Sequence, residues 1–285
     1  DRSPSRGLGD VYKRQALDVI KMNRYDIYIR HVESGGYYSG REEPGWGFYA
    51  IFHNNDFSKV PDGANGVTYP NGTYCEMVFE YRPGEGNQRE ALFGPPTCGG
   101  NGNGGYIYHD LVEQFPMKDG KPIGQSDKYP YDPLKPAEGR DPRFANTVVW
   151  NGSVMMSGGD KDHIVYTHKG AGVTTDAFGR GTPTGYYIRK FSHRQLAGNW
   201  FVGTSQAFDL IRYAEILLNY AEAVNEYYGP DHEDVLGEYT ISPLAVLKLL
   251  RERAGIDAGG DGRYGLEEGL SLIHISEPTR RTPIS

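Results

Sequence analysis

A chain of 285 residues with 30 basic and 37 acidic side chains carries a formal charge of −7, a poor match for nucleic acid, whose phosphates call for Lys and Arg. No apolar run nears the ~18 residues of a membrane span. The two cysteines, Cys75 and Cys98, are too few for a disulfide scaffold, though they could form one bridge in an oxidising compartment.

The two ends are related through their codons. A permitted coding sequence for residues 270–280, read as its reverse complement, encodes residues 5–15 in frame without a gap. Such DNA resembles a transposase adapter read on both strands. Residues 1–15 and 270–285 are therefore expected to be adapter-derived, and 16–269 to be the genuine segment.

Residues 16–23 read as the last turns of a helix, with Ala16, Val19 and Ile20 on one side. A turn at 34–40 leads into a long loop over 41–73. Its pairs Asp62-Gly63, Asn65-Gly66 and Asn71-Gly72 are turn signals, because Asn, Asp and Gly accept positive φ cheaply. Residues 74–82 alternate weakly and are rich in β-formers, as in a short strand or an extended segment. A second long loop covers 82–106. Its glycines at 99–105 lack the helix and Lys that a phosphate cradle requires. Residues 111–123 start helical and break at Pro116. Residues 139–152 read as a turn, fixed by Asp141 and Arg143, followed by an extended run. Asp160, Asp162 and His163 have cation-binding side chains but read better as an exposed turn. Asn71 and Asn151 match glycosylation acceptors and read better as turns. Another extended run covers 182–191.

The helical signal concentrates late. Residues 205–229 have Ser205 as a cap, Gly229-Pro230 as a stop, and apolar positions Phe208, Ile211, Ala214, Leu217, Leu218, Ala221 and Val224 at spacings of three and four. A second helix starts at the cap Ser242, with Pro243 first, and runs to Gly255. The pair forms an αα-hairpin over 205–256, behind a loop-rich region over 16–204. Small Ala214, Ala221 and Ala223 suit close packing, as in one unit of a tetratricopeptide-like array.

Eight landmarks in order carry a resemblance: the helix remnant 16–23, "SGGYYSG", "FYAIF", "EMVFEYR", "LVEQFPMKDGKPI", "GRDPRFANTVVWNG", "GYYIRKF" and "IRYAEILLNYAEAVNE" with "LKLLRERAGI". Together the interior is similar to the SusD/RagB family of nutrient-binding outer-membrane lipoproteins. The resemblance implies a mainly α, SusD-like fold, in which tetratricopeptide-like helix pairs carry a loop-rich region with short strands. It implies a cell-surface location through a lipidated Cys and a signal peptide that would precede this segment. It also implies a SusC-type TonB-dependent transporter as partner, oligosaccharide or peptide as ligand, no cofactor and no catalysis.

A sugar site needs aromatic faces for the apolar side of a ring and polar groups for its hydroxyls. The candidates lie in the first long loop and the turn before it: Tyr37, Tyr38, Trp46, Phe48 and Tyr69, with Asp62 and Asn65 as polar partners. Trp46 stands between glycines in "PGWGF", where no neighbouring side chain is expected to shield its ring. Trp150 and Trp200 read as packing. Arg212, Glu215 and Asn219 are spaced by helical turns and could either link the hairpin to the loop region or form solvated surface. A protein-only helical scaffold is a second reading. A glycoside hydrolase is a third, but its candidate pair, Glu76 and Glu80, would stand ~13 Å apart along a strand, too far for either known geometry.

Overall fold

The computed structural model describes residues 4–32, 40–53, 76–81, 88–101, 104–158, 161–169, 175–177, 181–192, 196–197, 200–201 and 208–267. Among these residues, seven α-helices and five two-stranded antiparallel ribbons make a moderately helical chain.

The helical core is built from α1 (Pro4–Lys21), α6 (Tyr213–Tyr228) and α7 (Pro243–Ala254). Helix α1 runs unbroken through Gln15 and Ala16. Its Ala16, Leu17 and Ile20 pack in one cluster with Ala214, Leu217, Ala221 and Val224 of α6 and with Val246 and Leu250 of α7. That is the apolar stripe the spacing predicts, and its burial drives the pairing. Both ends of α7 are where the sequence puts them. Ser242 Oγ accepts from the Ala245 amide at 3.2 Å, and Gly255 closes the helix at φ 80°.

Two expectations need correction here. The helix expected over 205–229 divides: β8 (Phe208–Arg212) is a strand paired antiparallel with β1 (Met77–Tyr81), and α6 begins only at Tyr213. Phe208 and Ile211 therefore belong to a ribbon, and Ser205 lies outside the described residues. The α6–α7 connection is a β-hairpin, β9 (Asp234–Leu236) with β10 (Tyr239–Ile241). The Tyr220 hydroxyl ties this hairpin to α6, lying 2.8 Å from Asp234 Oδ2 and 2.9 Å from the Ile241 carbonyl.

The remaining elements pack beside this core. Residues 46–53, expected in a loop, form α2 (Trp46–His53), whose apolar side chains are buried all round. A helix with no polar face carries no amphipathic signal, which is why periodicity misses it. Two short helices follow, α3 (Gln88–Phe93) and α4 (His109–Glu113). "DPRFAN" is likewise a helix, α5 (Pro142–Thr147), with Asp141 as the cap that accepts from the Arg143 amide at 2.8 Å. It leads into β2 (Val148–Val149), paired with β5 (Tyr187–Ile188). Next to it, β3 (Ser153–Gly158) pairs with β4 (Lys161–Val165), and β6 (Leu196–Ala197) with β7 (Trp200–Phe201).

Candidate functional site

The elements meet at Glu76, a fully buried carboxylate one residue ahead of β1. Its Oε1 accepts from Arg212 of β8 at 2.7 Å and from Arg253 of α7 at 2.9 Å, and its Oε2 accepts from Arg253 at 2.8 Å. Its backbone carbonyl receives the Tyr213 amide, the first of α6, at 2.7 Å. Two rings of α2 form the floor. The Arg253 guanidinium lies 5.2 Å from the Phe48 ring centre, and Arg212 lies 4.9 Å from that of Phe52. Lys190 Nζ sits over both rings, at 5.2 Å and 4.4 Å. Cations over aromatic faces recover part of the hydration they lose. A second buried pair, Asp141–Arg143 at 2.7 Å, stands nearby on α5. Burial lowers the Arg253 pKa, while Glu76 opposes that shift.

Lys190 and Asp209 complete this hub, on less comfortable terms. Burial, then the cations Arg212, Arg253 and Arg143, lowers Lys190 to about 7. Burial also raises Asp209 to about 7, although Arg212 works against it. Among the described residues, the buried Asp209 Oδ2 has no hydrogen-bond donor. The hub fixes the chain on both sides of residues 54–75: Phe52, next to the end of α2, lies against these cations, and Glu76 lies within them.

The sequence-predicted site residues divide sharply. Tyr37, Tyr38, Asp62, Asn65 and Tyr69 lie outside the described residues. Trp46 and Phe48 are brought together, but in the core and not on a surface. Trp46 is 6% exposed, with Tyr49 tilted against it at 4.8 Å, and Phe48 is 0% exposed. The expectation that glycines leave the Trp46 ring unshielded is thus overturned. Those glycines are there because backbone comes close. A Cβ on Gly47 would stand 2.3 Å from the Tyr28 carbonyl oxygen. One on Gly45, at φ 78°, would stand 2.6 Å from that of Ala254.

Other candidates also find structural partners. Trp150 packs against Phe144 at 5.1 Å, as expected, whereas the Trp200 side chain lies outside the described residues. Arg212 does link the hairpin to the rest of the fold, and Glu215 is exposed. His163 lies on β4, with its Nε2 3.0 Å from Thr97 Oγ1, which in turn donates to buried Asp176. The described residues hold no group of three or more metal-ligating side chains, and Asp160 lies outside them. Asn151 Oδ1 accepts from the Thr167 amide at 3.0 Å, closing the turn that Gly152 makes at φ 82°. Cys98 is buried and, among the described residues, a free thiol; Cys75 lies outside them. Glu76, locked between two arginines, has no access to a glycosidic oxygen.

Sequence reasoning missed the hub because its members are scattered from Phe48 to Arg253. The one available signal was a Glu inside an apolar strand pattern and an Arg at the close of another.

The fold has solved counterparts. A SusD-like protein from Bacteroides fragilis NCTC 9343 superposes with a TM-score of 0.53 at 19% identity, over 87% of this chain and 45% of its own. A SusD-like carbohydrate binding protein from the same organism gives 0.54 at 19% identity, over 86% of this chain and 40% of its own. The chain therefore spans less than half the length of these two structures. No curated protein matches it. No helix among the described residues is long and apolar enough to cross a membrane. The sequence model of the SusD family matches residues 67–279, most of the chain, and on that ground the chain belongs to the SusD family.

Proposed function

We propose that the chain binds an oligosaccharide at the cell surface and passes it to a SusC-type TonB-dependent transporter, held at the outer membrane by a lipid anchor. The observation that carries this reading is membership of the SusD family, together with a fold neighbour described as a carbohydrate binding protein. The architecture supports passive binding. Glu76, Arg212 and Arg253 are spent on one another in a buried hub, and the hub anchors the chain on both sides of 54–75, which contains Asp62, Asn65 and Tyr69. These three, with Tyr37 and Tyr38, are the proposed contacts. Trp46 and Phe48 are withdrawn from that set because buried rings offer no face.

The test is native gel retardation of the whole chain in a polysaccharide panel, followed by titration calorimetry with the best saccharide. Retardation by at least one polysaccharide, weakened by Tyr69→Ala, is the expected result. A chain that ignores every saccharide but binds short peptides would move the ligand class to peptide. Turnover of any saccharide would end the passive reading.

A further inference from the structure

We propose that the surface made by Tyr108, His109 and Glu113 is a stacking subsite for a neutral saccharide; this rests on the oligosaccharide-binding reading above and adds a location outside the first long loop. Tyr108 directly precedes α4, in extended backbone at φ −74°, ψ 148°. Ile107 on one side of it is buried, and Val112 of α4 is buried too. Side chains alternate in extended backbone, so the chain direction that sends Ile107 inward sends Tyr108 outward, where it is 76% exposed. Among the described residues its ring has no stacking or hydrogen-bonding partner.

Its neighbours are held firmly. The His109 imidazole lies nearly parallel to the Tyr186 ring, with centres 5.9 Å apart at 14°. His109 Nδ1 is 3.1 Å from the Tyr186 hydroxyl, and Nε2 is 3.5 Å from Glu113 Oε1 one helical turn on. Behind them, buried Arg140 donates to the Val112 and Phe115 carbonyls, both at 2.7 Å, and closes the end of α4. Its guanidinium lies over the Phe144 ring at 4.9 Å and the Tyr131 ring at 5.3 Å. The result is an exposed aromatic ring one residue ahead of an imidazole that is held by Tyr186 and paired with an exposed carboxylate. An aromatic face takes the C–H side of a pyranose, and a carboxylate takes its hydroxyls. The exposed carboxylates on α4 are Asp110 and Glu113, while the cation behind the helix, Arg140, is buried and directed at backbone. The arrangement therefore selects neutral sugars over uronates.

The test is calorimetry on the whole chain with neutral gluco-, manno-, galacto- and xylo-oligosaccharides and one oligouronate, using wild type, Tyr108→Ala, Tyr108→Phe and Glu113→Gln. Melting temperatures are measured in parallel. The expected result is a loss of about tenfold in affinity for Tyr108→Ala, near-wild-type affinity for Tyr108→Phe, a smaller loss for Glu113→Gln, and melting temperatures unchanged in all three. Wild-type binding that survives Tyr108→Ala overturns the subsite and leaves the oligosaccharide reading standing. A wild type that binds no saccharide overturns both. Tighter binding of the oligouronate overturns the neutral class.

Discussion

Arg253 and Glu76, far apart in the chain, meet in an ion pair in which Arg253 Nη1 reaches both carboxylate oxygens, at 2.8 and 2.9 Å, with neither side chain open to solvent. Arg212 takes the remaining approach to the same carboxylate at 2.7 Å. Helix α7, strand β8 and the root of β1 are thereby joined at one atom group. The consequence for stability is asymmetric. Replacing a whole buried pair with apolar side chains can be neutral, but removing one partner strands the other. Glu76→Gln would leave two guanidinium groups facing each other without a counter-charge. We expect it to cost about 3–5 kcal/mol in urea unfolding of the whole chain. A loss under about 1 kcal/mol, the scale of an exposed pair, would mean the pair is solvated and not buried.

A second prediction concerns the approach of α2 to the chain before it. The Gly47 amide donates to the Arg30 carbonyl at 2.8 Å, and no space remains for a Cβ beside the Tyr28 oxygen. Gly47→Ala should cost about 1–3 kcal/mol, as overpacking does, although alanine is the better helix former. Chemical denaturation of the two proteins side by side measures it. An alanine variant of equal or higher stability would show that the segment carrying Tyr28 yields.

These residues show what was legible in the sequence and what was not. Helix α7 could be read with its cap, its first-turn proline and its closing glycine, because all three signals are local. The α6 stripe from Ala214 to Val224 could be read for the same reason. Residues 208–212 could not, since "FDLIR" continues the helical spacing and becomes a strand only through pairing with Met77–Tyr81. The glycines around Trp46 carried a real signal that was read the wrong way. In this fold they mark backbone contact and not exposure. The surface at Tyr108 was passed over because the ring that orders His109 is distant in sequence: Tyr186 is 77 residues away.

Cys98 gives a third prediction. Burial, and then the charge of nearby Asp176, pushes its thiol up to about 12, although Thr97 and Arg189 pull the other way. Thiolate is the reacting form, so the folded thiol is protected twice, by access and by protonation. In a Cys75→Ser background, the native chain should resist alkylation at pH 8, and the denatured chain should react at the rate of a free cysteine. Fast labelling of the native chain would place Cys98 at the surface.

The fourth prediction follows from Lys190 and Asp209, whose shifts run opposite to those of a stabilising ion pair. For Lys190 the folded pKa is about 7, depressed from 10.5 by burial and then by Arg212, Arg253 and Arg143. Between these values the unfolded chain holds a proton that the folded chain has lost, so stability rises with pH over that range. The cost of burying the ammonium is complete below 7 and vanishes above 10.5. For Asp209 the folded pKa is about 7, raised from 3.8 chiefly by burial. Here the folded chain keeps a proton that the unfolded chain has released, so stability falls as pH rises from about 4 to about 7. The two limbs meet near neutrality, where this pair contributes least. Lys190→Met, which also suits the Phe48 and Phe52 rings, should raise the melting temperature most at pH 7 and below, and progressively less toward pH 10. Asp209→Asn should raise it most above pH 7 and little at pH 4. Melting curves for the three proteins across that span separate the contributions. If both substitutions instead lower stability at neutral pH, the ammonium and carboxylate meet as a direct salt bridge, and the hub owes part of its strength to them.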